Sequence, residues 1–206
     1  MLRIRVLGAS AALLVASAGI AAAADIPPYG APPPGGSSFY NPVPVSNWTG
    51  PYVGLIGGYG WAGPTVPNRG WLGGAFVGAN FQTDSTIVVG IEADVTATGK
   101  TGMSGGTTVT NPWNTTLRGR VGFAMDRFMV YGTGGVAVGR VAATGAITGA
   151  TTRVGWTAGA GVEAQLSQQL LGRVEYRHTN LGTAALTGGP VTYRSDDVMV
   201  GVGLKF

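Results

Sequence analysis

Between Thr152 and Asn180 the chain alternates residue by residue, and a period of two is the signature of a strand with two unlike faces. Val154, Trp156, Ala158, Ala160, Val162 and Ala164 fall on one face, and Arg153, Gly155, Thr157, Gly159, Gly161, Glu163 and Gln165 on the other. After Ser167, Gln168 and Gln169 the split resumes, with Leu170, Gly172, Val174 and Tyr176 against Arg173, Glu175, Arg177 and Thr179. Two such runs joined by a short turn make a β-hairpin. The turn places Glu163 opposite Arg173, and a salt bridge is expected there.

Which face points inward is decided by composition. Only 11% of the residues are charged, whereas a water-exposed surface carries roughly 25–35%. A barrel with its polar set outside would be short of charge, so the apolar face is expected to meet lipid. Runs of about 10 to 13 residues, tilted as in a membrane barrel, span the ~25 Å apolar band of an outer membrane.

Residues 1–24 have the form of a secretory signal: Arg3 and Arg5, an apolar run from Leu7 to Ile20, and Ala22-Ala23-Ala24 as a small-residue cleavage site. Removing it takes two arginines from the formal charge of +4, leaving +2. No basic patch suggests nucleic acid. The absence of cysteine excludes disulfides, thiolate metal sites and a cysteine nucleophile. Residues 25–46 hold seven of the twelve prolines and read as an extended N-terminal arm. Residues 47–206 form the remaining domain.

That domain contains eight alternating runs, at about 48–60, 71–82, 86–98, 114–124, 128–140, the two of the hairpin above, and 196–206. The fifth admits either register; Phe128, Val130, Val136 and Val138 are taken as outward and Tyr131 as inward. Three-residue connections at 83–85, 125–127 and 167–169 alternate with longer ones at 61–69, 99–113, 141–151 and 181–195. An all-β, eight-stranded, antiparallel up-and-down transmembrane barrel accounts for this, with short turns in the periplasm and long loops outside the cell. Outward aromatics sort into two girdles, Phe81, Phe123, Phe128 and Phe206 by the short turns and Tyr59, Trp71, Trp156 and Tyr176 by the long connections.

Several of these stretches, Asn47-Trp48-Thr49-Gly50-Pro51-Tyr52-Val53-Gly54, Val89-Gly90-Ile91-Glu92-Ala93-Asp94, Thr116-Leu117-Arg118-Gly119-Arg120-Val121-Gly122, Gly155 to Glu163, Val174-Glu175-Tyr176-Arg177 and Val200 to Phe206, make residues 47–206 resemble the small outer-membrane β-barrels of Gram-negative bacteria. These are porin-like surface antigens of OmpA- and OmpX-like architecture. The resemblance implies residence in the outer membrane and insertion by a barrel assembly machinery that reads a C-terminal aromatic, here Phe206. It implies no single activity: members include structural proteins, porins, surface antigens and haem binders. The chain is expected to lack the peptidoglycan-binding domain of OmpA.

The inward charges Glu92, Asp94, Arg118, Arg120, Arg153, Glu163, Arg173, Glu175, Arg177, Asp197 and Lys205 nearly cancel, and in so narrow a lumen they are expected to pair and fill it. His178, the single histidine, invites a triad with Ser195 and Asp196, since these approach it across neighbouring strands. The bland alternative is an interfacial histidine. Lys100-Thr101-Gly102 lacks the Ser-x-x-Lys that a β-lactamase requires, and Gly132-Thr133-Gly134-Gly135 lacks the helix of a phosphate loop. No metal or cofactor is expected. The resulting expectation is a monomeric, lipid-embedded barrel, not an enzyme, that serves a structural or recognition role through its long loops. A narrow porin or a solute- or haem-binding barrel is the alternative, and a lipid-modifying enzyme a more distant one.

Overall fold

The computed structural model describes residues 46–64, 68–83 and 86–206. Residues 1–24, expected to be a secretory signal, and almost all of the proline-rich arm lie outside these residues. Eight antiparallel strands follow one another: β1 (Gly50–Pro64), β2 (Asn68–Thr83), β3 (Ile87–Ser104), β4 (Thr107–Met125), β5 (Phe128–Gly145), β6 (Gly149–Gln165), β7 (Leu170–Leu186) and β8 (Gly189–Lys205). Each pairs with the next, and β1 pairs with β8 from Tyr52 opposite Lys205 to Pro64 opposite Tyr193, which closes the sheet into a barrel. Closure leaves no strand edge open.

The outward face is apolar from strand to strand. Leu55, Val77, Ile91, Leu117, Val121, Val154, Val174 and Val200 are all exposed, as expected of side chains that face hydrocarbon. On β5, Phe128, Val130 and Val136 point outward while Tyr131 is buried, which settles the ambiguous register as read. Both groups of girdle aromatics are exposed, and Tyr59 and Trp71 meet edge to face at 5.2 Å.

The four long connections are not loops. Strands run on through nearly all of 61–69, 99–113, 141–151 and 181–195, leaving tight tips such as Gly105-Gly106 between β3 and β4. Those two glycines have φ of 56° and 73°, as a two-residue hairpin turn requires. The physical reason these stretches escaped sequence reading is an inversion of faces. A tilted strand crosses the bilayer in roughly 9–11 residues, and strands of 15 to 19 residues project beyond it. There the surroundings are water, so polar residues such as Thr101, Thr144 and Thr183 turn outward while Val109, Val141, Ala143, Leu181, Val191 and Tyr193 pack inside as an apolar cap. Irregularities in register at Ala97/Lys100, Thr110/Asn114 and Asn180/Gly182 fall within this zone.

A second apolar layer closes the opposite end of the lumen. Trp48, Tyr52, Phe76, Val88, Met129, Leu171 and Met199 belong to it. Trp48 is fully buried, and its indole donates to the carbonyl of Asp126 at 3.2 Å.

Candidate functional site

Charged side chains fill the lumen between the two apolar layers. They follow from the same alternation that places apolar residues on lipid, since every second position of β3, β4, β6, β7 and β8 points to the axis. Ten are buried: Lys100, Arg118, Arg120, Arg173 and Arg177 against Glu92, Asp94, Glu163, Glu175 and Asp197, five of each sign.

Arg118 is the hub. Its guanidinium reaches Glu92 at 2.5 Å and Asp94 at 3.1 Å on β3, then Glu175 at 2.6 Å on β7. Arg177 holds Asp94 at 3.0 Å and Glu175 at 2.9 Å. Arg173 donates to Glu92 at 2.6 Å, and Arg120 to Glu163 at 2.9 Å. Tyrosines complete the shell: the Tyr52 hydroxyl donates to Glu92 and that of Tyr131 to Glu175, each at 2.9 Å. Arg120 also lies over the Tyr131 ring at 4.0 Å, and Arg173 over Phe76 at 3.5 Å. Such contacts let a guanidinium be buried on faces where it has no hydrogen-bond partner.

Glu163 and Arg173 do stand opposite each other in the β6–β7 ladder. Their closest approach is nevertheless 3.9 Å, and each makes its short contact elsewhere, Glu163 with Arg120 and Arg173 with Glu92. In so narrow a lumen, long side chains meet across the axis more readily than along the wall.

Three assignments of the sequence reading shift. Lys100, read as part of a loop, is fully buried and pairs with Asp197 and with Ser195 Oγ at 2.5 Å. It keeps the inward positions of Glu92 and Asp94, but the outward positions beside it, Gly99 and Thr101, are no longer apolar, so the contrast that marks the strand fades there. Gly60 makes room for this pair; a Cβ there would run into the Asp197 carboxylate and come within 2.7 Å of Lys100 Cε. Arg153 points inward but is only half-buried and makes no ion pair among the described residues. Lys205 lies at the end of the barrel that carries the short turns and donates to the Asn47 carbonyl at 2.6 Å. Phe206 is exposed beside β1, its amide bonded to the Pro51 carbonyl at 3.0 Å.

The histidine triad does not assemble. His178 Nδ1 contacts Asp196 at 2.8 Å and Tyr176 donates to the same carboxylate at 2.6 Å, all on the outer face. Ser195 is on the opposite face of the sheet, buried in the lumen with Lys100 and Asp197. Among the described residues no group of three or more potential metal ligands occurs.

The model of the outer membrane protein beta-barrel domain matches residues 10–206. The chain is 39% identical over 176 residues to the 25 kDa outer-membrane immunogenic protein of Brucella canis, covering 80% of this chain and 82% of that one. It is 36% identical over 173 residues to the 22 kDa outer membrane protein of Rhizobium leguminosarum bv. viciae, covering 79% and 80%. Neisserial surface protein A superposes with a TM-score of 0.55 at 14% identity, over 77% of this chain and 98% of that one, which is a likeness of fold. A closed eight-stranded barrel, apolar outside and charged within, together with these matches, makes the chain a member of the outer-membrane β-barrel protein family, resident in the cell outer membrane.

Proposed function

We propose that this protein is a non-conducting, monomeric barrel that works through its exterior: a structural element of the outer membrane whose projecting hairpins form a recognition surface. The observation that carries this reading is the filled lumen. Ten buried charges of balanced sign lie between two apolar layers, and the hub arginine alone reaches β3 and β7. Eight strands enclose little more than the volume of their own side chains, and aqueous channels are usual at about 16–18 strands. The reading assigns no catalytic residues. The Brucella relatives are named outer-membrane immunogenic proteins, which agrees with hairpin ends that face the outside of the cell. Phe206, exposed at the end of the closing strand, is the residue through which the barrel assembly machinery would engage the chain.

Planar-bilayer recording with the purified protein, paired with liposome swelling in sugars, tests the reading. Silence, or rare ion-sized events, is expected. Steady large conductance with sugar uptake would replace the filled barrel with a narrow porin.

A further inference from the structure

At the end of the barrel away from the short turns, the eight strands do not share one ladder. β3 to β6 stay paired to their tips: β3 with β4 as far as Ser104 opposite Thr107, β4 with β5 to Thr107 opposite Gly145, and β5 with β6 to Ala143 opposite Gly149. The β7–β8 hairpin stands apart. On one side its ladder with β6 stops at Trp156 opposite Asn180, and contact returns only as the isolated bridge of Thr148 with Thr187. On the other side the β8–β1 ladder stops at Tyr193 opposite Pro64, and a proline brings no amide to that last rung. Beyond these limits residues 182–193 have a ladder only within their own hairpin, from Gly182 opposite Tyr193 to Leu186 opposite Gly189. A two-stranded ribbon without a third strand is marginal in water, so packing has to hold it.

The packing comes from the apolar cap, to which the ribbon contributes Ala184, Val191 and Tyr193, with Leu186 packed against it. Its foot is built as a hinge. The β7–β8 register shifts between Asn180 and Gly182, Gly182 has a φ of 70°, and its amide is held by the Asn180 side chain at 2.9 Å. An irregularity of this kind lets a ribbon bend while the ladder below it stays intact. Polar groups sit where the seams meet the interior. Arg153, on β6 beside the open seam, has its Nε buried without a partner, and its Nη2 lies 3.8 Å from where a Cβ on Gly182 would stand. Asn68, opposite Ala62 and turned into the barrel, is buried with neither end of its amide bonded. Such groups are unfavourable in a permanently sealed lumen and are satisfied when water reaches them. Directly below Tyr193 on the inner face of β8 lie Ser195 and Asp197, both bound to Lys100.

We propose that residues 182–193 form a hinged lid over the upper lumen. The ribbon swings as a unit about the irregularity between Asn180 and Gly182 while β3 to β6 stay laddered, and each opening brings water to the cluster of Lys100, Ser195 and Asp197. The charged network and the second apolar layer beneath stay closed, so the lid admits solvent to the upper lumen and not through the barrel. The test uses the purified barrel in micelles, with heat-modified gel migration to confirm folding. In hydrogen exchange the amides of 182–193 should exchange at least tenfold faster than those of 107–110 and 142–145, which belong to the four-stranded end. The chain has two lysines, Lys100 and Lys205, and no cysteine, so an amine-acylating reagent and an engineered disulfide report without interference. Lys100 should be acylated slowly in the wild type, and at least tenfold more slowly once Thr148→Cys and Thr187→Cys are joined across the isolated bridge. Reduction should restore the rate, and Lys205, at the other end of the barrel, should keep one rate throughout. Equal exchange in the two ends, a Lys100 that is never acylated in the wild type, or a Lys100 rate indifferent to the disulfide would each overturn the proposal. If the cysteine pair does not fold or does not close, exchange and Lys100 acylation in the wild type decide the matter.

Discussion

Glu92 takes contacts from Arg118, Arg173 and Tyr52 at 2.5, 2.6 and 2.9 Å and lies 3.7 Å from Arg120, so its loss leaves three buried arginines short of a counterion. Glu92→Ala is expected to destabilise the barrel by about 3–5 kcal/mol, the range for breaking a buried pair, in denaturant unfolding from micelles. Glu163→Ala leaves Arg120 without its short ion pair, though still bonded to the Tyr52 hydroxyl at 3.0 Å, and spares Arg173, so the smaller loss of the two is expected. If either variant unfolds with wild-type stability, the network is solvated and contributes as little as a surface pair. The sequence sorted inward from outward side chains because the bilayer imposes alternation on every strand. It did not give the partners. Opposition in a ladder pairs Glu163 with Arg173, whereas packing across the axis sends each to a different strand, and a one-dimensional pattern carries no information about that axis.

Strand number, order and short turns were legible for the same reason, and the far third of each hairpin was not. Above the bilayer the rule that marks a strand reverses, so Val109, Leu181 and Tyr193 turn inward where apolar residues below them turn out. A search keyed to one face loses the strand at that point, along with Lys100. Gly105-Gly106 was the readable signal, a two-residue turn between Thr101-Gly102-Met103-Ser104 and Thr107-Thr108-Val109-Thr110. The apolar cap should hold the hairpin ends as folded strand. Leu181→Asp places a charge at a fully buried position, and we expect amide exchange in the upper parts of β4, β5 and β7 to quicken by at least tenfold, with the membrane-level strands still protected. Uniform exchange along β7 in this variant would mean that the cap and the lumen unfold together.

At the scale of the whole molecule, the closing strand has two roles that can be separated. Deleting Phe206 removes one exposed aromatic, worth at most ~3 kcal/mol by area. Refolding into detergent should therefore be nearly normal while insertion in cells falls sharply. Equal loss in both settings would mean that Phe206 acts by packing alone. A second consequence of β8 lies in the sign of its buried charge. Of the five inward carboxylates only Asp197 comes from β8, whereas all five buried cations come from β3, β4 and β7. Until β8 docks, the first seven strands enclose one more positive than negative charge, and Lys100 lacks its counterion. Ring closure is thus also the step at which the interior reaches electroneutrality. A barrel stalled one strand short is marked by an excess cation at its upper seam, so incomplete assembly differs electrostatically, as well as geometrically, from the finished fold.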